Sequence, residues 1–180
     1  MSNYCNIATG HPIHRLYHDT EYGFPTTNEC ELFERLTLEI FQAGLSWLIV
    51  LKKREQLKRA FRGFDVNHVS RFTKSDIELL KSEPSIIRNQ LKIEATVYNA
   101  SVIKAFRKSH GGFSNWLMSQ HPKNSKEWSV LFKQYFKFTG AVVVNEFLLS
   151  TGYLPGAHSE NCPIASIISG IKPPWQNQKV

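Results

Sequence analysis

Residues 38–55 read LEIFQAGLSWLIVLKKRE, and this stretch decides the helical character of the chain. Apolar residues recur at helical spacing here and upstream, which predicts a first helix from an N-cap at Thr27–Asn28 to Ala43. Gly44 favours the end of that helix, because glycine readily adopts the left-handed conformation that closes many helices. A second helix is predicted over about Ser46–Phe61. Two consecutive helices therefore meet at the sequence AGLS.

The remainder of the chain shows further helical segments. Helix signals begin at Val66 and Thr73, and a long helix follows a polar bend that ends at Lys92. No segment alternates apolar and polar residues in the way of a half-buried strand, so we predict an all-α fold. Further helices fit residues 113–120, 125–134 and 140–151.

Helix-breaking residues mark the N-terminal segment. Gly10, Pro12, Gly23 and Pro25 interrupt it, so a loop is predicted there. The last residues, from Lys172 onward, are predicted to form a loose tail. We expect one domain over residues 1–180, made of an N-terminal loop region (1–26), a helical body (27–153) and a C-terminal segment with the tail (154–180).

The composition indicates a basic globular protein. Hydrophobic residues make up 42% of the chain and charged residues 21%, which excludes a disordered chain. The net charge of +7 favours a polyanionic partner such as DNA. The N-terminal sequence lacks the apolar run of a signal peptide, and the nearly uncharged stretch Leu36–Leu51 is too short to span a bilayer. We therefore expect a soluble, cytoplasmic, monomeric protein with no membrane partner.

Two cysteines and two histidines lie near opposite ends of the chain: Cys5 and His18 at one end, His158 and Cys162 at the other. Two thiolates and two imidazoles fill a tetrahedral Zn²⁺ shell without leaving a position for water, which is typical of structural sites. The alternatives are surface histidines with incidental cysteines, or a disulfide between Cys5 and Cys162. A reducing compartment disfavours the disulfide.

Glu39 is the only charged residue from position 36 to position 51. Helical spacing places it on one face with Leu32, Leu36 and Ala43, and a carboxylate is costly to bury unless it is paired or used. Trp47 follows just after the turn. One interpretation is a glutamate bonded to a neighbouring helix end or a lysine. The other is a pocket with an aromatic surface and a negative charge, suited to a cationic aromatic ligand.

The bend over Ser85–Lys92 lies between two predicted helices and carries Arg88 and Lys92. Its exposed backbone N–H groups and those of the next helix N-terminus are suited to hold a DNA phosphate, as in a helix-hairpin-helix. Ser85 stands where such hairpins usually have glycine. An ordinary loop between helices with solvated charges is the alternative.

Taken together, these segments resemble the 3-methyladenine DNA glycosylase I family. The resemblance covers most of residues 5–162 in order, and the QAGLSW stretch combined with the four Cys and His residues is its most specific part. The matching segments are Cys5 with YHDTEYG (17–23), LEIFQAGLSWLIVLKKRE (38–55), IIRNQLKIEA (86–95), FKFTG (136–140) and HSENC (158–162).

The resemblance implies an all-α helix-hairpin-helix glycosylase, with its chain ends joined by a structural zinc site, that removes 3-methyladenine from double-stranded alkylated DNA. Carried over by position, Glu39 and Tyr17 would hydrogen-bond the flipped base as the catalytic pair, and Trp47 would stack on it. Tyr22 stands where relatives have tryptophan and would line the same pocket. Leu45 would fill the gap that the base leaves in the helix, while Arg88 and Lys92 would contact DNA.

Two departures bear on the lesion range. Ile7 and His14 replace aromatic residues of the family, and the segment between Trp116 and Tyr135 is shorter than usual. A glycosylase for a different alkylated purine therefore stays open, as does a non-catalytic binder of damaged DNA. A zinc hydrolase or deaminase needs an open coordination position, and four protein ligands would leave none.

The resemblance also implies how the reaction proceeds. Helix-hairpin-helix glycosylases commonly use an aspartate that follows the hairpin, whereas the aspartates here, Asp19, Asp65 and Asp76, all precede it. N3-methylation makes the adenine cationic and a good leaving group, so base flipping and selective binding supply most of the catalysis. With no lysine assigned as a nucleophile, we expect a monofunctional enzyme in which water attacks the sugar.

Overall fold

The computed structural model describes residues 4–177, and these residues form α-helices joined by short loops, with no strand among them. The all-α prediction is therefore confirmed. The helices are α1 (Tyr4–Thr9), α2 (Pro12–Thr20), α3 (Glu29–Gln42), α4 (Trp47–Ala60), α5 (Val66–Val69), α6 (Lys74–Ser82), α7 (Gln90–His110), α8 (Phe113–Gln120), α9 (Ser125–Tyr135), α10 (Ala141–Ser150) and α11 (Pro163–Gly170).

Helix α3 is the centre of the fold, and every residue from Leu32 to Phe41 is buried. It packs against α4, α7, α8 and α10. The Asn28 side chain accepts hydrogen bonds from the amides of Cys30 and Glu31, so the helix starts where the sequence predicts. Gly44, with a φ of 81°, lies in the turn that follows. These two ends fix the axial position of Glu39 in the core.

The prediction of a loop for the N-terminal segment is wrong, because residues 4–20 contain the helices α1 and α2. Pro12 occupies the first turn of α2, where a missing N–H costs nothing, and the His11 side chain caps the helix. The breakers therefore fall at the ends of short helices and not inside them. Residues 1–3 of the predicted loop region lie outside the described residues.

The C-terminal segment also differs from the prediction. Helix α11 was not expected, and Pro174–Gln176 forms a 3-10 turn within the segment predicted as a loose tail. The amide of Trp175 donates to the carbonyl of Gly152 at 3.1 Å, which ties this segment to the end of α10. Residues 178–180 of the predicted tail lie outside the described residues.

Buried polar contacts attach the N-terminal segment to the helical body. Arg35 of α3 donates from Nη1 to the carbonyls of Phe24 and Ser150, at 2.8 and 2.6 Å. The amide of Gly23 donates to the same Ser150 carbonyl at 2.9 Å. Buried hydrogen bonds with a charged donor are among the stronger ones, so they hold the segment that follows α2 against α3 and the end of α10. This packing forms the cavity described below.

Within residues 4–177, no helix combines the length and the apolar character required to cross a bilayer.

Candidate functional site

A small cavity opens where α1 and α2 meet α3, α4 and α10. The sequence-predicted residues Tyr17, Tyr22, Glu39 and Trp47 all line it, although they come from three separate segments of the chain. Aromatic rings form most of its wall: the Tyr17 and Trp47 ring centroids are 5.2 Å apart with planes at 65°. Such a cavity suits a flat ligand that stacks on or meets the edges of aromatic rings.

Glu39 supplies the charge of this cavity. Its side chain is only 5% exposed. No group among residues 4–177 donates a hydrogen bond to its carboxylate or forms an ion pair with it. Burial, reinforced by the negative charge of Glu146, raises the pKa of Glu39 well above the usual range. The alternative interpretation, a glutamate bonded to a neighbouring helix end or to a lysine, is thus not supported, because the described part of the chain contains no such partner. The carboxylate faces the cavity instead.

The raised pKa of Glu39 gives a pH dependence of stability. The folded protein holds this proton more tightly than the unfolded chain, where the carboxyl titrates near 4.5. The resulting stabilisation is fully present below that pH and is lost as pH rises through the folded-state pKa. The glutamine of the Glu39→Gln variant does not titrate. The free energy of unfolding of this variant, relative to that of the wild type, should therefore increase as pH rises above 4.5. Urea unfolding over a pH series measures this difference; a constant difference would contradict the assignment.

Sequence reasoning missed three residues of the cavity wall: Tyr4, Gln42 and Glu146. Gln42 follows Glu39 by three positions and so shares its helix face, a signal that was present in the sequence. Glu146 is the single ionisable residue in the apolar sequence of α10, which is the same kind of signal that marked Glu39. Tyr4 had no comparable signal, because it comes to the cavity through the unexpected helix α1.

Leu45 lies in the turn between α3 and α4, beside the cavity. It is 38% exposed and lines an adjoining groove together with Gly44, Val142 and Val143. Glu39, Gln42 and Glu146 line both the cavity and the groove, so the two are continuous. An exposed leucine at the mouth of a pocket is suited to occupy the space of an extruded base, and this role for Leu45 stays a prediction.

Cys5, His18, His158 and Cys162 come together from the two ends of the chain, and their ligand atoms all lie within 4.8 Å of one another. Cys162 Sγ is 3.7 Å from His18 Nε2 and 3.5 Å from His158 Nδ1, and the two imidazole nitrogens are 3.0 Å apart. Tetrahedral zinc with bonds of about 2.0–2.3 Å spaces its ligand atoms roughly 3.3–3.8 Å apart. The two distances from Cys162 Sγ match this spacing, the two imidazole nitrogens lie closer together, and the donor set of two thiolates and two imidazoles is one that could hold such an ion.

The outer partners of the two histidines support the same conclusion. His18 donates from Nδ1 to the carboxylate of Asp19 at 2.7 Å, and His158 donates from Nε2 to the carbonyl of Tyr22 at 2.7 Å. Because those partners only accept, the ring nitrogens left over are the two that face each other 3.0 Å apart, where they can bind a metal ion or share a proton. This arrangement of outer hydrogen bonds is typical of metal-bound histidines.

The predicted DNA contacts of the bend before α7 differ between its two cations. Arg88 is exposed. Lys92 is only 3% exposed, and its Nζ donates to the carbonyls of Phe41 and Ala43, at 2.9 and 2.5 Å. The prediction that Lys92 contacts a phosphate is therefore wrong: its ammonium group satisfies the carbonyl end of α3 and is unavailable to DNA.

This difference predicts separate effects for the two cations. Arg88→Met should weaken DNA binding on all sequences and reduce the slope of log affinity against log salt by about 0.9, one phosphate contact. Lys92→Met should leave that slope unchanged and lower the free energy of unfolding by about 1–3 kcal/mol, because two buried carbonyls lose their donor. Salt titrations and urea unfolding of both variants check this; equal slopes with unchanged stability would refute it.

The fold and the site together define an all-helical protein with a buried carboxylate in an aromatic cavity and, from both ends of the chain, a cluster of two cysteines and two histidines that could hold a metal ion. A family model described as methyladenine glycosylase matches residues 7–130. The chain is 34% identical over 182 residues to the DNA-3-methyladenine glycosylase of Haemophilus influenzae, covering 91% of this chain and 98% of the relative. The chain belongs to the methyladenine glycosylase family, and the resemblance inferred from the sequence motifs is confirmed.

Solved structures give the same result at the level of the fold. The structure of a tyrosine-to-phenylalanine variant of 3-methyladenine DNA glycosylase I in complex with 3-methyladenine is 33% identical, with a TM-score of 0.82, over 91% of this chain and 98% of that one. A structure of the Staphylococcus aureus 3-methyladenine DNA glycosylase I, determined to explain 3-methyladenine recognition, is 35% identical with the same TM-score of 0.82, over 91% and 96%.

Proposed function

We propose that this protein is a base-excision repair enzyme that hydrolyses the N-glycosidic bond of 3-methyladenine in alkylated double-stranded DNA. The observation that carries the proposal is the Glu39 carboxylate, 5% exposed and without a hydrogen-bond donor among residues 4–177, in a cavity walled by aromatic rings. A buried anion without a partner is unfavourable, so it favours a ligand that brings both positive charge and N–H donors. An adenine methylated at N3 brings both.

Recognition follows from the wall of the cavity. The nucleotide leaves the base stack, and its base enters between aromatic side chains, where Trp47 offers a ring face to a cationic base. Glu39 accepts an N–H of the base, and Tyr17 hydrogen-bonds beside it. Burial, reinforced by Glu39, raises the pKa of Tyr17 well above 10, so its hydroxyl stays protonated and can donate. Adenine without the methyl group lacks the positive charge that Glu39 favours.

Hydrolysis then requires little from an acid. The cationic base departs as a neutral molecule when its bond to the sugar breaks, and water attacks C1′ of the deoxyribose. No lysine lines the cavity in the described part of the chain, and Lys92 is held by backbone carbonyls. This supports a monofunctional enzyme that forms no Schiff base with the sugar and leaves the DNA strand intact.

DNA binding is proposed to depend on general electrostatics and two local features. The net charge of +7 attracts the phosphate backbone. Exposed Arg88 contacts a phosphate before α7, and Leu45 fills the space of the extruded base. Neither contact reads sequence, which suits an enzyme that must find a lesion anywhere in a duplex.

We further propose that Cys5, His18, His158 and Cys162 hold one structural Zn²⁺. The donor set and spacings fit this ion, and four protein ligands leave no position for a reactive water. The closed set argues against a zinc hydrolase or deaminase. When bound, the ion contributes folding free energy and joins the two ends of the chain beside Tyr22, whose carbonyl bonds His158.

The test of this function is to identify the bases that the purified protein releases from methylated double-stranded DNA. Mass spectrometry of the soluble fraction should show 3-methyladenine, with strands that break only after alkali treatment. Release of another alkylated purine in its place would show that the enzyme acts on that lesion and not on 3-methyladenine. Tight binding to methylated DNA without any released base would indicate a non-catalytic binder.

A further inference from the structure

Glu146 is a second acidic group of the cavity. It is half-buried on α10 and lines the aromatic cavity as well as the groove beside Leu45. Glu39 is the more deeply buried of the two carboxylates. Both carboxylates line the cavity where it joins the groove, and Glu146 is the more accessible of the two.

A hydrogen bond defines the orientation of Glu146. Tyr22 donates a hydrogen bond from its hydroxyl to Oε2 of Glu146 at 3.1 Å, which holds the carboxylate on the cavity wall. Glu146 takes part in none of the ion pairs found among residues 4–177. Glu146 therefore has no cationic partner among the described residues, and its carboxylate is left to face positive charge that develops beside it during the reaction.

The positive charge of the substrate moves during the reaction. It begins on the methylated base, next to Glu39, and shifts to C1′ of the deoxyribose as the glycosidic bond lengthens. That bond crosses the opening of the cavity, because the base is inside and the sugar-phosphate backbone remains outside. A carboxylate at the opening therefore stabilises the transition state more than the bound substrate, which is the condition for lowering the barrier.

We propose that Glu146 is a second catalytic carboxylate that stabilises the positive charge on C1′ and accepts a proton from the attacking water. The C1′–N9 bond breaks and its electron pair stays with the base, which leaves as neutral 3-methyladenine. The water oxygen bonds to C1′ as its proton passes to Glu146 and then to solvent. This inference rests on the proposed function and adds a residue to it.

Single-turnover release and binding, measured on the same variants, test the inference. Glu146→Gln should lower the rate of 3-methyladenine release by about 100-fold, as expected for a lost general base. Its affinity for methylated DNA and for free 3-methyladenine should stay within about twofold of the wild type, because an interaction confined to the transition state does not change binding. Glu146→Asp keeps the charge and should recover part of the rate. Exposed Glu55→Gln on α4, with the same charge change, should match the wild type.

The activity of the wild type distinguishes a failure of this inference from a failure of the proposed function. If the wild type releases no base, the proposed function fails. If the wild type is active and Glu146→Gln releases base at the wild-type rate, the role of Glu146 is refuted. A Glu146→Gln variant that loses affinity or melting temperature in proportion to rate also refutes it, since that pattern marks a base contact or a structural residue. Tyr22→Phe should lower the rate less than Glu146→Gln and add little to it, because the two act through one carboxylate.

Discussion

Glu39→Gln is expected to lower 3-methyladenine release by roughly 10- to 1,000-fold, equivalent to the loss of about 1.4–4 kcal/mol of charge-assisted hydrogen bonding. The substitution keeps the shape of the side chain and removes the buried charge, so the protein should fold normally and gain stability at neutral pH. Single-turnover release and urea unfolding of the same preparation provide the two numbers. Activity and stability should therefore change in opposite directions.

A companion variant and a control define this result. Trp47→Ala should lower the same step by removing the stacking surface, while the affinity of both variants for undamaged DNA changes little. Glu31→Gln, at an exposed position on the first turn of α3, provides the matched loss of charge on the same helix. A Glu39→Gln variant that unfolds, yet keeps its turnover per folded molecule, would show that Glu39 is structural.

Removal of the metal is expected to have the largest effect on stability. Structural zinc supplies folding free energy on the order of several kcal/mol. A loss of about 3–5 kcal/mol lowers the melting temperature by roughly 10 °C or more for a chain of this size. Native mass spectrometry should show one Zn²⁺ per chain, lost in Cys5→Ala and in His158→Ala together with that stability. The loss is large because the site joins segments from both ends of the chain.

Cys30→Ala is the control for these variants, since Cys30 is the one cysteine of this chain outside the Cys and His cluster. It should retain the metal and the melting temperature of the wild type within about 2 °C. Metal-free protein that melts at the same temperature as metal-loaded protein would contradict the structural role. Protein that stays folded but loses activity on metal removal would instead point to a catalytic metal.

The sequence predicted the central helices well, because their signals are local. Asn28 caps α3 and the capping box of Thr73 and Asp76 begins α6, both where the sequence indicates. A side-chain cap and a regular apolar face act within one or two turns, so sequence spacing is sufficient to place them. The helices α1, α2 and α11 were missed because glycine or proline lies at an end of each, at Gly10, Pro12 and Pro163, and such residues also mark loops. Whether a short segment between them becomes a helix depends on tertiary packing more than on its own propensity.

The cavity was predicted in part, and the omissions share a cause. Glu39 was found because a charged residue interrupts an apolar helix face, and Trp47 because it follows in the same motif. Glu146 is likewise a charged residue in an apolar helix, α10. The sequence does not indicate that α10 packs against α3 so that Glu146 comes close to Glu39. Which helix faces meet is a property of the whole fold, so the second carboxylate emerged only from the structure.

Lys92 shows the opposite failure. A lysine in a polar bend beside an arginine is ordinarily solvated, and no local pattern indicates that the carbonyl end of α3 lies against it. The long lysine side chain reaches Phe41 and Ala43, 51 and 49 residues earlier in the chain. By contrast, the cluster of Cys5, His18, His158 and Cys162 was predicted across a still larger separation, because cysteine and histidine are few and their chemistry restricts how they combine.

The central claim is that the cavity formed by Tyr17, Glu39 and Trp47 is where the methylated base is held. A crystal structure of the protein with 3-methyladenine tests it most directly. We expect the base in this cavity, with its ring against Trp47 and a ring-edge N–H directed at the Glu39 carboxylate. A base bound elsewhere on the protein, with this cavity unchanged and empty, would contradict the claim.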